Sequence, residues 1–170
     1  MIDKTTTDYP IPLPCVQEKE TPNTPKSTDM KTVPASGRIL ALDPGMKRIG
    51  VAVSDKDRVV ATPLARIDRT SWKNLLSEIK QLLQEFDAKA LVIGLPLESD
   101  GTESEMSAEA RNMARKFSLS LQLPVFLQDE RVSSYEANRR LWDKGVVDSK
   151  DLVDSEAAAV ILADFLDRLK

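Results

Sequence analysis

Histidine is absent from this chain of 170 residues. That removes imidazole general bases, histidine metal ligands and every catalytic triad built on one. The single cysteine, Cys15, excludes an internal disulfide and a multi-cysteine zinc site, and a lone thiol fits the cytoplasm. No apolar run approaches the roughly 20 residues that span a bilayer. The N-terminus has no basic patch followed by an apolar core, and Asp3, Asp8, Glu18 and Glu20 make it a poor transit peptide. A cytoplasmic protein without a membrane partner is therefore expected. The net charge of −3 gives no global basic field, so contact with nucleic acid must use a local patch. Carboxylates, Lys, Arg, Ser, Thr and Tyr remain for chemistry. Carboxylates without His or Cys favour hard, oxygen-loving ions such as Mg²⁺ or Mn²⁺.

What is present falls into two parts. Residues 1–36 hold six of the ten prolines and show neither helical nor strand period, so they are expected to be a disordered Pro/Thr-rich tail. A single α/β domain is expected over 37–170, with no internal repeat. It opens on RILALDPGMKRIGVAVSD, Arg38 to Asp55, in which two apolar runs flank a Pro-Gly turn. Strands are expected at Ile39–Asp43, Arg48–Ser54, Val59–Arg66, Ala90–Gly94 and Val125–Leu127. Ser71 caps a helix whose apolar stripe runs from Trp72 to Phe86, and a second helix covers about Ser104–Leu121. A short helix is expected at Tyr135–Lys144 and a last one from about Asp154 to Leu169. Leu141-Trp142 reads as core, with a dimer contact as the alternative; the oligomeric state stays open. Hairpins and helical crossovers then give a mixed five-stranded sheet of order 3-2-1-4-5, with the second strand antiparallel and helices on both faces.

In open α/β sheets, ligands sit outside the carboxyl ends of the parallel strands. Those ends are Asp43, Gly94-Leu95-Pro96 and Asp129-Glu130-Arg131. Stepping from Phe165 through Ile161 and Ala158 by helical intervals reaches Asp154, which is expected to face the sheet from the first turn of the last helix. Carboxylates converging from distant parts of a chain repel one another unless a cation sits among them. Two Mg²⁺ ions about 3.5–4 Å apart stabilise the attacking and leaving oxygens in phosphodiester cleavage. Lys47, Arg48 and Arg131 are candidate phosphate contacts.

Four stretches, ALDPGMKRIGVAVSD, VIGLPLESDGTES, LQDERVSSYEA and VDSEAAAVIL, resemble in order the motifs of the YqgF/RuvX family of "putative pre-16S rRNA nucleases", relatives of Holliday-junction resolvases with an RNase H-like fold. The resemblance runs from about Arg38 to Leu169. It implies a metal-dependent endonuclease that processes the 5′ end of precursor 16S ribosomal RNA on the assembling ribosome. By motif position the site acids are Asp43, Asp129 or Glu130, and Asp154. Strand alternation lets one acid of the Asp-Glu pair face the site squarely; Glu130 is taken, with Asp129 in reserve. The chain departs from the related resolvases at the end of the fourth strand, where they carry a Glu and it has Gly94-Leu95-Pro96. Glu98, Asp100 and Glu103 on the following loop read as solvent-facing, with a compensating ligand as the alternative. Two other functions stay open: a non-catalytic rRNA- or ribosome-binding factor, and a nuclease of branched DNA. Actin-like ATPases share the strand order, but the second lobe and second phosphate loop they need are absent.

Overall fold

The computed structural model describes residues 30–130 and 150–170, and side chains of the second stretch from Ser155 onward. Six strands form one sheet: β1 (Arg38–Pro44), β2 (Arg48–Ser54), β3 (Ala61–Pro63), β4 (Ile67–Asp68), β5 (Ala88–Leu95) and β6 (Val125–Asp129). The order is β3-β2-β1-β5-β6, with β4 paired to β2 beside β3. β1 runs parallel to β5, and β5 to β6, while β2 is antiparallel to β1, β3 and β4. This is the expected mixed sheet with its third strand cut short, to Ala61–Pro63, and an unexpected sixth strand, Ile67–Asp68, beyond it.

The cut has local causes. Val59 and Val60 are β-branched and read as strand, yet they are 69% and 47% exposed. Their N–H groups instead donate to one carboxylate oxygen of Asp55, at 2.8 and 3.0 Å, and close a turn. Those bonds hold the Asp55 carboxyl below the usual carboxylate range. Pro63 then ends β3 because proline cannot donate to a ladder. Between β3 and β4, Leu64 N–H donates to the Val51 carbonyl at 2.8 Å.

Among the described residues three α-helices cover the sheet. Helix α1 (Trp72–Glu85) is capped by the Ser71 hydroxyl, which accepts from Asn74 N–H at 3.2 Å. Helix α2 (Glu105–Ser120) opens with Ser104 and Ser107 capping one another's backbone. Both pack on one face, against Leu40, Leu42, Leu91, Ile93, Val125 and Leu127. Helix α3 (Lys150–Asp167) lies on the other, over Ile39, Ala41, Ala52, Ala90, Val92 and Phe126. Leu, Ile and Val side chains face α1 and α2, whereas alanines are common beneath α3, so this helix can approach the sheet closely.

Helix α3 begins at Lys150, so Asp154 sits one turn further in than the expected first-turn position. Lys150-Asp151-Leu152 was expected to belong to a charged connector, although Ser149, a residue type that caps helices, stands immediately before Lys150 and is a start signal that the expectation passed over. Ser155 locks this end down. Its hydroxyl is fully buried and accepts from Val51 N–H at 3.2 Å, at the gap between β3 and β4. Ser155→Ala leaves that amide without a partner. The expected cost is about 1–3 kcal/mol, read as a drop of several degrees in melting temperature.

The expected tail overlaps the described residues at its end. Met30–Thr32 forms one 3-10 turn, and Met30 and Val33 pack against the α3-face core, ahead of the expected boundary at 37. Residues 1–29, the expected helix at Tyr135–Lys144 and the pair Leu141-Trp142 lie outside the described residues. Among the described residues no helix is long and apolar enough to cross a membrane.

Candidate active site

Register places the site. Leu42 pairs with Ile93, and Gly94 with Gln128, so Asp43, Gly94 and Gln128 lie level across three parallel strands. Alternation turns all three toward α3, because Ala41, Val92 and Phe126, two residues earlier on each strand, are in the α3-face core. Asp129 falls on the opposite parity, with Leu127. Glu130, one residue beyond β6, returns to the α3 side.

Gln128 is fully buried and braced: its side-chain oxygen accepts from Arg168 Nη1 at 2.9 Å, tying the end of β6 to the end of α3. Glu130 is the reverse case. Its Oε1 is buried and has no hydrogen-bond partner among the described residues. Burial, then the nearby charges of Asp43 and Asp129, push its carboxyl up to about 7. A buried carboxylate oxygen without a donor, beside a second carboxylate, is an arrangement that a divalent cation would neutralise. The donor set is all oxygen, which fits Mg²⁺ or Mn²⁺. Among the described residues no group of three acids is gathered tightly enough to hold an ion. The third acid of the sequence reading, Asp154, is in α3, but its side chain is outside the described residues, as is Arg131 altogether.

The turn between β1 and β2 carries the candidate cations. Gly45 N–H donates to the Arg48 carbonyl at 3.0 Å, and a Cβ at 45 would collide with that oxygen, so the tight turn requires glycine there. Lys47 is exposed, and Arg48 lies 4.0 Å from Asp68 with half of its side chain in solvent. Arg69, which the sequence reading passed over, fixes this turn. Its N–H donates to the Lys47 carbonyl at 2.9 Å, its Nη1 to the Gly45 carbonyl at 3.3 Å, and its Nη2 to Glu109 on α2. Arg69→Ala frees the turn. We expect KM for nucleic acid to rise about fivefold with kcat little changed, as for lost substrate positioning remote from the reacting atoms.

The acids of the loop after β5 are engaged elsewhere. Asp100 accepts from Thr102 N–H and Oγ1 at 2.9 and 2.7 Å, and Glu103 pairs with Arg111. Glu98, Asp100 and Glu103 are all exposed, in keeping with the solvent-facing reading.

A family model described as "RuvX: Holliday junction resolvase" matches residues 37–168. This chain belongs to the RuvX family. A "Putative pre-16S rRNA nuclease" of Gloeothece citriformis is 41% identical over 131 residues, covering 76% of this chain and 87% of the relative. Another relative of that name, from Rhodopseudomonas palustris, is 41% identical over 138 residues, covering 80% and 86%. Among solved structures, Thermus thermophilus RuvC in complex with a Holliday junction substrate superposes with a TM-score of 0.52 at 15% identity, over 78% of this chain and 96% of that one. At that identity the likeness concerns the fold, which is the RNase H-like arrangement expected of a RuvX protein.

Proposed function

We propose that this RuvX protein is a metal-dependent endonuclease, a phosphodiester hydrolase that processes the 5′ end of precursor 16S ribosomal RNA. The observation that carries this reading is the Oε1 of Glu130, buried and with no donor among the described residues, beside Asp43 at the carboxyl edge of the sheet. Family membership and the names of the relatives support the substrate.

Asp43, Glu130 and Asp154 would hold the ion, Mg²⁺ or Mn²⁺, with Asp129 as the alternative to Glu130. A divalent ion bound there supplies Lewis-acid polarisation of the phosphate and an activated water. The chain's own groups do the rest. The carboxylates fix the ion at the strand ends, where the sheet is rigid. Lys47, Arg48 and Arg131 orient the phosphates on either side of the scissile bond, Arg by its bidentate fork.

The test is cleavage of a precursor 16S rRNA fragment and of a four-way DNA junction, side by side with Mg²⁺ or Mn²⁺, by wild type and Asp43→Asn. Cleavage of the RNA that Asp43→Asn loses is the expected result. Equal cleavage by both proteins overturns the metal-site reading. Preferential cutting of the junction would move the substrate to branched DNA, the class that the family description names. Binding of the RNA without cleavage, unaffected by Asp43→Asn, would make the protein an assembly factor.

A further inference from the structure

We propose that Gly94 is a positioning residue: its missing side chain is the seat that admits the Glu130 carboxylate to the site. The proposal rests on the reading of Glu130 as a metal ligand given above.

A Cβ built on Gly94 would stand 2.5 Å from Glu130 Oε1 and 2.6 Å from Ile161 Cδ1 of α3. Real Cβ atoms do not come within 3.0 Å of such neighbours. Glu130 Oε1 is therefore laid against the backbone of β5, in a slot roofed by α3. Conformation does not demand this glycine. Gly94 lies inside β5 and is not among the positive-φ glycines, which are Gly37 and Gly101, so an alanine could adopt its backbone. The requirement is for space. Glycine inside a strand commonly marks such a close approach.

The slot also explains how the carboxylate reaches its place. Gln128, not Glu130, is the register partner of Gly94. Glu130 starts beyond the end of β6 and must lean across onto the neighbouring strand. Ala41 and Ala90 on the same face of the sheet are small enough to seat α3. At Gly94 even the methyl group has gone, and that is where the carboxylate lies. The carboxyl end of β5 carries no acid of its own, and the structure fills the space above it with one from β6.

Two roles for the glycine must be separated, since Ile161 also presses on it. The comparison is therefore made in an Ile161→Val background, which removes the Cδ1 atom. Metal-free wild type, Asp43→Asn, Ile161→Val and Ile161→Val/Gly94→Ala are titrated with Mn²⁺ by calorimetry, and their melting is followed. The double variant should melt within a few degrees of Ile161→Val yet bind Mn²⁺ about tenfold more weakly, the scale seen when a ligand loses its orienting support. Asp43→Asn should also lose affinity. If Asp43→Asn binds weakly but the double variant matches Ile161→Val, Gly94 has no positioning role and the metal-site reading stands. If Asp43→Asn binds Mn²⁺ like wild type, that reading fails first. Should the double variant not fold, adding Glu130→Ala should restore folding, with a melting temperature near that of Ile161→Val/Glu130→Ala. Failure to fold there too would assign the glycine to the helix contact alone and overturn the proposal.

Discussion

Glu130→Gln is expected to make the metal-free protein more stable above neutral pH while removing its affinity for Mn²⁺. The folded protein raises this carboxyl from 4.5 to about 7. Between those values the native state holds a proton that the unfolded chain has released, so stability contributed by the protonated group falls as pH rises, and it levels off above about 7. A shift of that size corresponds to at most about 3 kcal/mol, and to about 1–3 kcal/mol once relaxation and water entry are allowed for. Glutamine is neutral throughout. The variant and wild type should melt together at pH 4, below the unfolded-state value, and diverge by several degrees at pH 8, the variant being higher. Mn²⁺ at pH 8 should close the gap by stabilising the wild type alone, because only a protein that binds the ion gains by mass action. Coincident melting curves at pH 8 would show that Glu130 is hydrated and that its environment carries no stored electrostatic cost. The predicted trade, stability against function, is the one expected where like charges are held together for catalysis.

Asp43→Asn should reduce cleavage by about 10²–10³-fold, equivalent to about 3–4 kcal/mol of transition-state stabilisation. The change keeps the shape of the side chain and the β1–β2 pairing, so the fold is retained. It also removes one of the charges that raise Glu130. Asp43→Asn should therefore move the pH-dependent loss of stability to lower pH, in the same direction as, and by less than, the loss of burial would. Thermal melts from pH 5 to 8 in the absence of metal measure this independently of any RNA substrate. An activity loss without that displacement would place Asp43 and Glu130 too far apart to share an ion.

Much of this architecture was legible because its signals are local. Ser71 announces α1 by a cap that the structure contains, and Ser104, the expected start of the second helix, proves to be the cap of α2. The unbroken run Ala90 to Gly94 reads as a buried parallel strand and lies at the centre of β5, between β1 and β6. Errors arose where a local preference met a competing bond. Val59 and Val60 prefer strand, but the Asp55 carboxylate takes their N–H groups. The start of α3 was expected too late because the charged residues around the cap-type Ser149 read as connector, and the helix's anchor is Ser155 reaching a backbone amide on β2, 104 residues away. At the site, strand ends and alternation brought Asp43 and Glu130 to one face. Gly94 and Arg69 could not be found in that way. A glycine whose neighbour comes from another strand and a helix has no periodic signature, and an arginine that grips backbone carbonyls looks like any surface cation.

The Ser155 anchor has a consequence during synthesis on the ribosome. Asp43, Glu130 and their helical roof are translated at widely separated times, and the roof is the last described element to emerge. Until it docks, the alanine face and Phe126 are bare, and Glu130 has no lid to press it onto β5. If Glu130 is a ligand as proposed, a nascent chain would lack a competent site until its last helix has docked.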